Sequence, residues 1–296
     1  MAFLSYDKQM MGSRSQPQAT MAVRRRRRAR RFRFKSVRRV IRLWLRAFQK
    51  TVATSPPAAQ ILVAAVVILF VWLTVNWVYQ TINKPTEVFF PLDDTLDKSP
   101  SETWRQYGAL FREHSTAVIT PELLAALAQV EGGGNPVART YWRWRLTWNP
   151  LELYQPASSA VGMYQITDAT FLDAKRYCIH DHVVVEDGPW HDLKSCWFNN
   201  LYTRVLPSHA IELTAALLDR GVASAMGRRR GAAATLQRKQ DLAAVIHLCG
   251  AAAGNRYVAH GFRLVPHQRC GDHDVRAYLA RVNGMKRQFA RLAASD

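Results

Sequence analysis

An apolar helix ends on a lone carboxylic acid, Ala128-Gln129-Val130-Glu131, and runs straight into Gly132, Gly133 and Gly134. Some thirty residues later comes a second unusual stretch, Ser159-Ala-Val-Gly162-Met163-Tyr164-Gln165-Ile166-Thr167. A carboxyl at the end of a helix, with glycine behind it to leave backbone room, is suited to exchanging a proton with a bound molecule. A Gly-kinked turn carrying Gln165 adds an amide that can read a polar ligand. The elements that must position these groups are legible around them. Thr120 can cap the Glu131 helix, Pro121 suits its first turn, and Leu123, Leu124, Leu127, Ala128 and Val130 form one apolar stripe. The second motif opens a further helix at Asp168, with Thr167 or Asp168 as its cap.

The two motifs together resemble the catalytic domain of the soluble lytic transglycosylases, a lysozyme-like family that cuts bacterial peptidoglycan. The resemblance covers about Ile119 to Leu292. In that family a Glu, usually followed by Ser, closes one helix, and a Gly-Leu-Met-Gln turn followed by a Thr-bearing helix lies across the cleft. The correspondents are Glu131, then Gly162-Met163-Tyr164-Gln165 and Ala169-Thr170. Two departures stand out. Gly132 replaces the Ser, and the family's third motif, an Ala-Tyr-Asn near a Gly turn, is present only as Leu248-Cys249-Gly250-Ala251-Ala252-Ala253-Gly254. The Tyr that supports the catalytic acid in the family must therefore come from elsewhere, with Tyr278 and Tyr257 as alternatives. The resemblance implies Glu131 as the one catalytic residue, with Gly162, Met163, Tyr164, Gln165, Thr170 and Tyr278 around the substrate and no metal or cofactor.

The chain carries 15 of its 19 net positive charges in residues 1–57, including Arg24 to Arg28. Such a run suits nucleic acid, but the apolar stretch directly after it argues for another use. From Ala58 to Tyr79 there are 22 residues without a charge, enough to cross about 30 Å of hydrocarbon as a helix. Trp72, Trp77 and Tyr79 cluster at its far end, and the dense basic run, from Arg24 to Lys50, lies on its N-terminal side. The positive-inside rule then puts the N-terminus in the cytoplasm and the remainder in the periplasm of a bacterial inner membrane. Without a small-residue cleavage site after the span, this reads as an uncleaved signal anchor. Val37, Val40, Ile41, Trp44, Leu45 and Phe48 recur at helical spacing among arginines, as in a basic amphipathic helix lying on an anionic leaflet. The expected organisation is a basic cytoplasmic tail over 1–57, a transmembrane anchor over 58–79, an extended periplasmic spacer over 80–101 and a catalytic domain over 102–296.

Cys178, Cys196, Cys249 and Cys270 all follow the span, which points to disulfides in an oxidising compartment. Three pairings are open, and the expected one joins Cys178 to Cys196 and Cys249 to Cys270. Several histidines lie near these cysteines without zinc-ligand spacing, and they read as surface or structural groups. Helices are expected at 101–114, 209–224, 236–248 and 274–294, a basic loop at Gly227-Arg-Arg-Arg-Gly231, and no alternating strand longer than Ile179 to Val185, making the domain mainly α. Tyr141, Trp142, Trp144, Trp148 and Tyr154 sit among Arg143 and Arg145; two of the five are expected in a sugar-binding groove and the rest in the core.

Most glycosidases need two carboxyl groups, and no convincing second one accompanies Glu131. The resemblance implies a route without it: one Glu protonates the leaving oxygen and then deprotonates the C6 hydroxyl of the same muramic acid, closing a 1,6-anhydro ring. Peptidoglycan strands are the expected partner, in wall turnover or in service of a secretion or conjugation apparatus. Three rivals remain: a hydrolytic enzyme like the goose-type lysozymes, a non-catalytic peptidoglycan-binding assembly protein, and a nucleic-acid or secretion-complex partner working through the arginines. Neither of the last two accounts for both motifs.

Overall fold

The computed structural model describes residues 39, 42–44, 46–92, 94–192, 194–227 and 234–295. The tail through Arg38 and the arginines at 228–230 lie outside the described residues. The described part is mainly helical and forms two compact units, one ending at Thr74 and one spanning Val75–Asp296.

In the first unit, residues 39, 42–44 and 46–53 are helical, with Leu43, Trp44 and Phe48 exposed. Helix α1 (Pro57–Asn83) comes next. Its 27 residues span about 40 Å, and it is long and apolar enough to cross a membrane. No residue of its most apolar window is buried, which is not how a soluble core helix behaves. Its buried residues are polar, Asn76 and Gln80, and both belong to the second unit.

The segment expected as an extended spacer is instead folded. Two 3₁₀ helices (Pro85–Leu92 and Asp94–Leu96) lead from α1 to α2 (Pro100–Glu113). Proline and acidic residues suggested solvent, yet Glu87 is fully buried, with Arg139 Nη1 2.7 Å and Lys84 Nζ 3.3 Å from its carboxylate. Those partners, one of them 52 residues away, are what make burial of the charge tolerable. Helix α2 starts on a capping box in which Ser99 and Glu102 satisfy each other's backbone N–H.

Helix α3 (Pro121–Gly132) is almost wholly buried from Leu123 to Ala128. Thr120 occupies its N-cap but makes no capping bond; its hydroxyl accepts from Gln240 Nε2 at 3.3 Å instead. Next come the hairpin of β1 (Trp142–Trp144) with β2 (Tyr154–Pro156), the short helix α4 (Asp168–Ala174) capped by Thr167, and the hairpin of β3 (Tyr177–His180) with β4 (Val183–Glu186). The stretch expected as one strand is two, folded back at Asp181 and His182, both at positive φ. Helices α5 (Pro207–Gly227), α6 (Leu236–Cys249) and α7 (Ala251–Ala259) come after it, then the two-residue strands β5 (Arg269–Cys270) and β6 (His273–Asp274), and finally α8 (Val275–Ala293), capped by Asp274.

One core joins α2, α3, α5, α6 and α8, with Phe111, Leu124, Ile211, Leu242, Tyr278 and Phe289 fully buried. The expected pairings are present: Cys178–Cys196 and Cys249–Cys270, with Cα separations of 5.2 and 5.5 Å.

Candidate active site

Glu131 is the penultimate residue of α3, and its side chain is 18 % exposed. Two residues from distant helices converge on its carboxyl. Tyr278, from the first turn of α8, donates its hydroxyl hydrogen to Oε1 at 2.5 Å. His247, near the end of α6, holds Nε2 3.7 Å from the same oxygen, beyond hydrogen-bond range. Burial, then the Glu131 charge and this hydrogen bond, push the Tyr278 phenol well above its ordinary range, so it is held as a donor. Of the two alternatives for a supporting tyrosine, Tyr278 is the one in contact with Glu131.

The Glu131 helix end and the 162–165 turn pack against each other, and glycine is what lets them. A β-carbon on Gly132 would stand 2.8 Å from Met163 Cα and 3.1 Å from the Gly162 carbonyl oxygen. Gly162, at φ +81°, would meet the Arg204 carbonyl at 2.5 Å if it carried one. The turn is closed by a Val161–Ile166 bridge and by Gln165 N–H donating to the Gly162 carbonyl. Serine after the Glu would collide with this backbone, so the Gly132 departure goes with the tight contact.

Within the turn the side chains divide. Met163 and Tyr164 are fully buried, with Tyr164 Oη donating to the Leu124 carbonyl. The expectation that they line a cleft is corrected: both face the core, where they fix the turn onto α3. Gln165 faces outward in part. Its amide nitrogen donates to the carbonyls of Ala138 and Gly162, while its Oε1 has no partner among the described residues. Thr170 shares a hydrogen bond with Thr167 at the start of α4.

Gln165 and Thr170 form one wall of an open groove of about 610 Å³ between α4, α5 and the α6–α7 junction. Thr214, Arg220, His247 and Asn255 are among its other polar lining residues. Thr214 Oγ1 is buried there without a partner among the described residues. Glu131 is not itself in the lining; His247 links it to the groove, lining the one and approaching the other. The sequence reads the histidines near the cysteines, His247 among them, as surface or structural groups, and the structure places His247 between Glu131 and the groove. Its position two residues before Cys249, at the place of the third motif, is the signal that could have found it.

Among the described residues Asp173 is the one carboxylate on the groove, more than half exposed and 4.0 Å from Arg176. Of the aromatic residues between 139 and 154, none lines this groove. Among the described residues no cluster of three or more His, Cys, Asp or Glu side chains is arranged to hold a metal ion. No known protein family, curated protein or solved structure matches the chain.

Proposed function

We propose that this chain is a membrane-anchored peptidoglycan lytic transglycosylase with a lysozyme-like catalytic domain. It cleaves the β-1,4 bond between N-acetylmuramic acid and N-acetylglucosamine and leaves a 1,6-anhydro end. The observation that carries the reading is the setting of Glu131: one largely shielded carboxyl at a helix end, oriented by Tyr278, next to the Gly132 contact with the Gly162 turn and joined through His247 to an open groove.

With Tyr278 bonded to Oε1, Oε2 is left to handle the proton. Glu131 gives that proton to the leaving glycosidic oxygen, then takes one from the C6 hydroxyl as that oxygen attacks C1, so the residue ends as it began. Tyr278 stabilises the carboxylate between the two steps. Gln165 Oε1 and Asn255 are available to sugar amide and hydroxyl groups, and Arg220, paired with Glu186 at 3.5 Å, has further donors for a stem-peptide carboxylate. A hydrolytic route would need a second carboxyl, for which Asp173 is the candidate on the groove.

Helix α1 is the inner-membrane anchor, with the arginine-rich tail in the cytoplasm and the catalytic domain in the periplasm, where two disulfides persist. Such placement suits either wall turnover or a secretion or conjugation apparatus that must pass the wall; nucleic acid is not the partner of a domain on the other side of the membrane.

The test is digestion of purified sacculi by the detergent-solubilised chain, with mass spectrometry of the products. Release of 1,6-anhydro muropeptides by wild type, abolished in Glu131→Gln and retained in Asp173→Asn, is expected; loss of general acid catalysis alone is worth about 10²- to 10⁴-fold. Products heavier by one water, lost in Asp173→Asn, would make the enzyme a hydrolase. Normal release by Glu131→Gln would remove the mechanism.

A further inference from the structure

The β1–β2 hairpin plays no part in the groove, yet it is tied to the rest of the fold by buried polar contacts while the residues from Trp144 to Trp148 are largely exposed. Its β2 side is held to the end of α1 through backbone carbonyls. Asn76 Nδ2 donates to the Tyr154 carbonyl and Gln80 Nε2 to the Leu151 carbonyl, each at 2.7 Å, from positions one helical turn apart. Trp142 Nε1 and Arg139 Nη1 both donate to Oε2 of the buried Glu87, at 2.8 and 2.7 Å. Buried amides and a buried ion pair hold the hairpin at one register on the helix, because releasing either would leave polar groups unsatisfied.

Trp142 and Trp144 share one face of β1, both against the Tyr154 ring, and from Trp144 into the loop the side chains are exposed. Trp144, resting on Tyr154, is still 68 % exposed, Leu146 and Trp148 are fully exposed, and Arg143 and Arg145 on either side of Trp144 are exposed too. Such a cluster of large apolar side chains on a protein surface marks a contact with something else. The position of the cluster says what. Asn76 and Gln80 bracket Trp77 and Tyr79, the aromatic residues at the end of the apolar run of α1. A hairpin hydrogen-bonded to those positions stands at the depth where α1 leaves the hydrocarbon. Trp with its polar ring N–H, and Arg with an apolar stem and charged head, are the side chains that favour this layer. Anionic headgroups would attract the two arginines further.

We propose that Trp144, Leu146 and Trp148, with Arg143 and Arg145, form a second membrane-contact site seated in the lipid headgroup layer beside the exit of α1. The domain is then held close to the bilayer at two points, which restricts the reach of its groove to wall near the membrane. This rests on α1 being a membrane span.

The experiment reconstitutes the full chain in vesicles of phosphatidylethanolamine and phosphatidylglycerol with brominated acyl chains, and compares wild type with Trp144→Phe/Trp148→Phe. Both positions are exposed, so the substitution removes fluorescence without disturbing the core. Most of the emission lost on substitution should be the kind quenched by bromolipid and shielded from aqueous iodide. If the lost emission is instead quenched by iodide and indifferent to bromolipid, while Trp72 and Trp77 in the variant still report bromine, the span stands and the hairpin proposal falls. Shielding of the two indoles by added sacculi rather than by lipid would overturn it in favour of a glycan-binding face. Absence of bromine quenching in both proteins would overturn the span and the proposal together.

Discussion

Tyr278 and Glu131 meet across 147 residues of chain, phenol to carboxylate, where the start of α8 passes the end of α3. The pairing leaves one carboxyl oxygen engaged and one available. Because burial and the neighbouring anion keep the phenol protonated, the donor persists while the carboxyl changes its charge. Its value to the reaction lies in the step where Glu131 is anionic.

Tyr278→Phe removes this donor and nothing else of comparable size. A hydrogen bond to a charged group contributes about 1.5–3 kcal/mol, so turnover on sacculi should fall by about 10- to 10²-fold. The loss should appear in kcat, with KM little changed, since the hydroxyl faces Glu131. A variant that melts earlier but turns over normally would reduce Tyr278 to a packing residue.

How much of this was legible in the sequence depended on the distance over which each signal acts. Caps and apolar stripes are local, so α2, α3, α5, α6 and α8 were found within a few residues of their ends. Cysteine pairing followed neighbour spacing for the same reason. Tyr278 and Tyr257 could not be separated in advance, because only the packing of α8 on α3 brings one of them to Glu131. Met163 and Tyr164 sit inside a functional-looking motif, yet both point into the core, which only the packing of the turn on α3 reveals. The β1 and β5 hairpins have strands of two or three residues, too short for alternation to register. Residues 80–101 looked solvent-bound because the groups that bury Glu87 come from Arg139 and Trp142.

The Cys249–Cys270 disulfide joins the end of α6, two residues beyond His247, to the β5–β6 hairpin that leads into Tyr278. It therefore ties together both partners of Glu131. Closing a 21-residue separation is worth about 3 kcal/mol in the chain-entropy model. Cys249→Ser/Cys270→Ser should lower stability by about that amount in denaturant melts and reduce activity at temperatures where the protein is still folded. Cys178→Ser/Cys196→Ser, with a separation of 18, should cost similar stability and less activity. Equal activity losses in the two double variants would show that the first bridge has no special hold on the site.

His209 carries a pH dependence whose sign is fixed by its setting. Its ring stacks on Tyr202 at 3.8 Å, and Nδ1 accepts from the Thr203 N–H, which a proton on that nitrogen would break. Burial, chiefly, holds its pKa below the ordinary 6.5; Glu212 opposes and His114 adds to the shift. The unfolded chain thus takes up this proton at higher pH than the folded one, so stability is full above about 6.5 and declines as pH falls through the folded value. Thermal melts from about pH 7 to pH 5 should show less decline in His209→Gln than in wild type. Identical slopes would place the acid sensitivity elsewhere.

Gly132 gives the sharpest test of how the two motifs are joined. A β-carbon there would lie 2.8 Å from Met163 Cα and 3.0 Å from its carbonyl oxygen, and both are backbone that no rotamer change can move aside. Gly132→Ser must therefore push the end of α3 away from the 162–165 turn. Overpacking of this kind costs about 1–3 kcal/mol, and the displaced residue adjoins Glu131, so activity should fall further than stability alone explains. Gly284→Ala in α8 is the control: nothing lies within 4 Å of its added carbon, and exchanging a helical glycine for alanine should stabilise by about 0.5–1 kcal/mol with turnover unchanged. Denaturant melts and muropeptide release for the two variants decide the matter. If Gly132→Ser matched wild type in both, the contact between the Glu131 helix and the Gly162 turn would not be the one that sets the site.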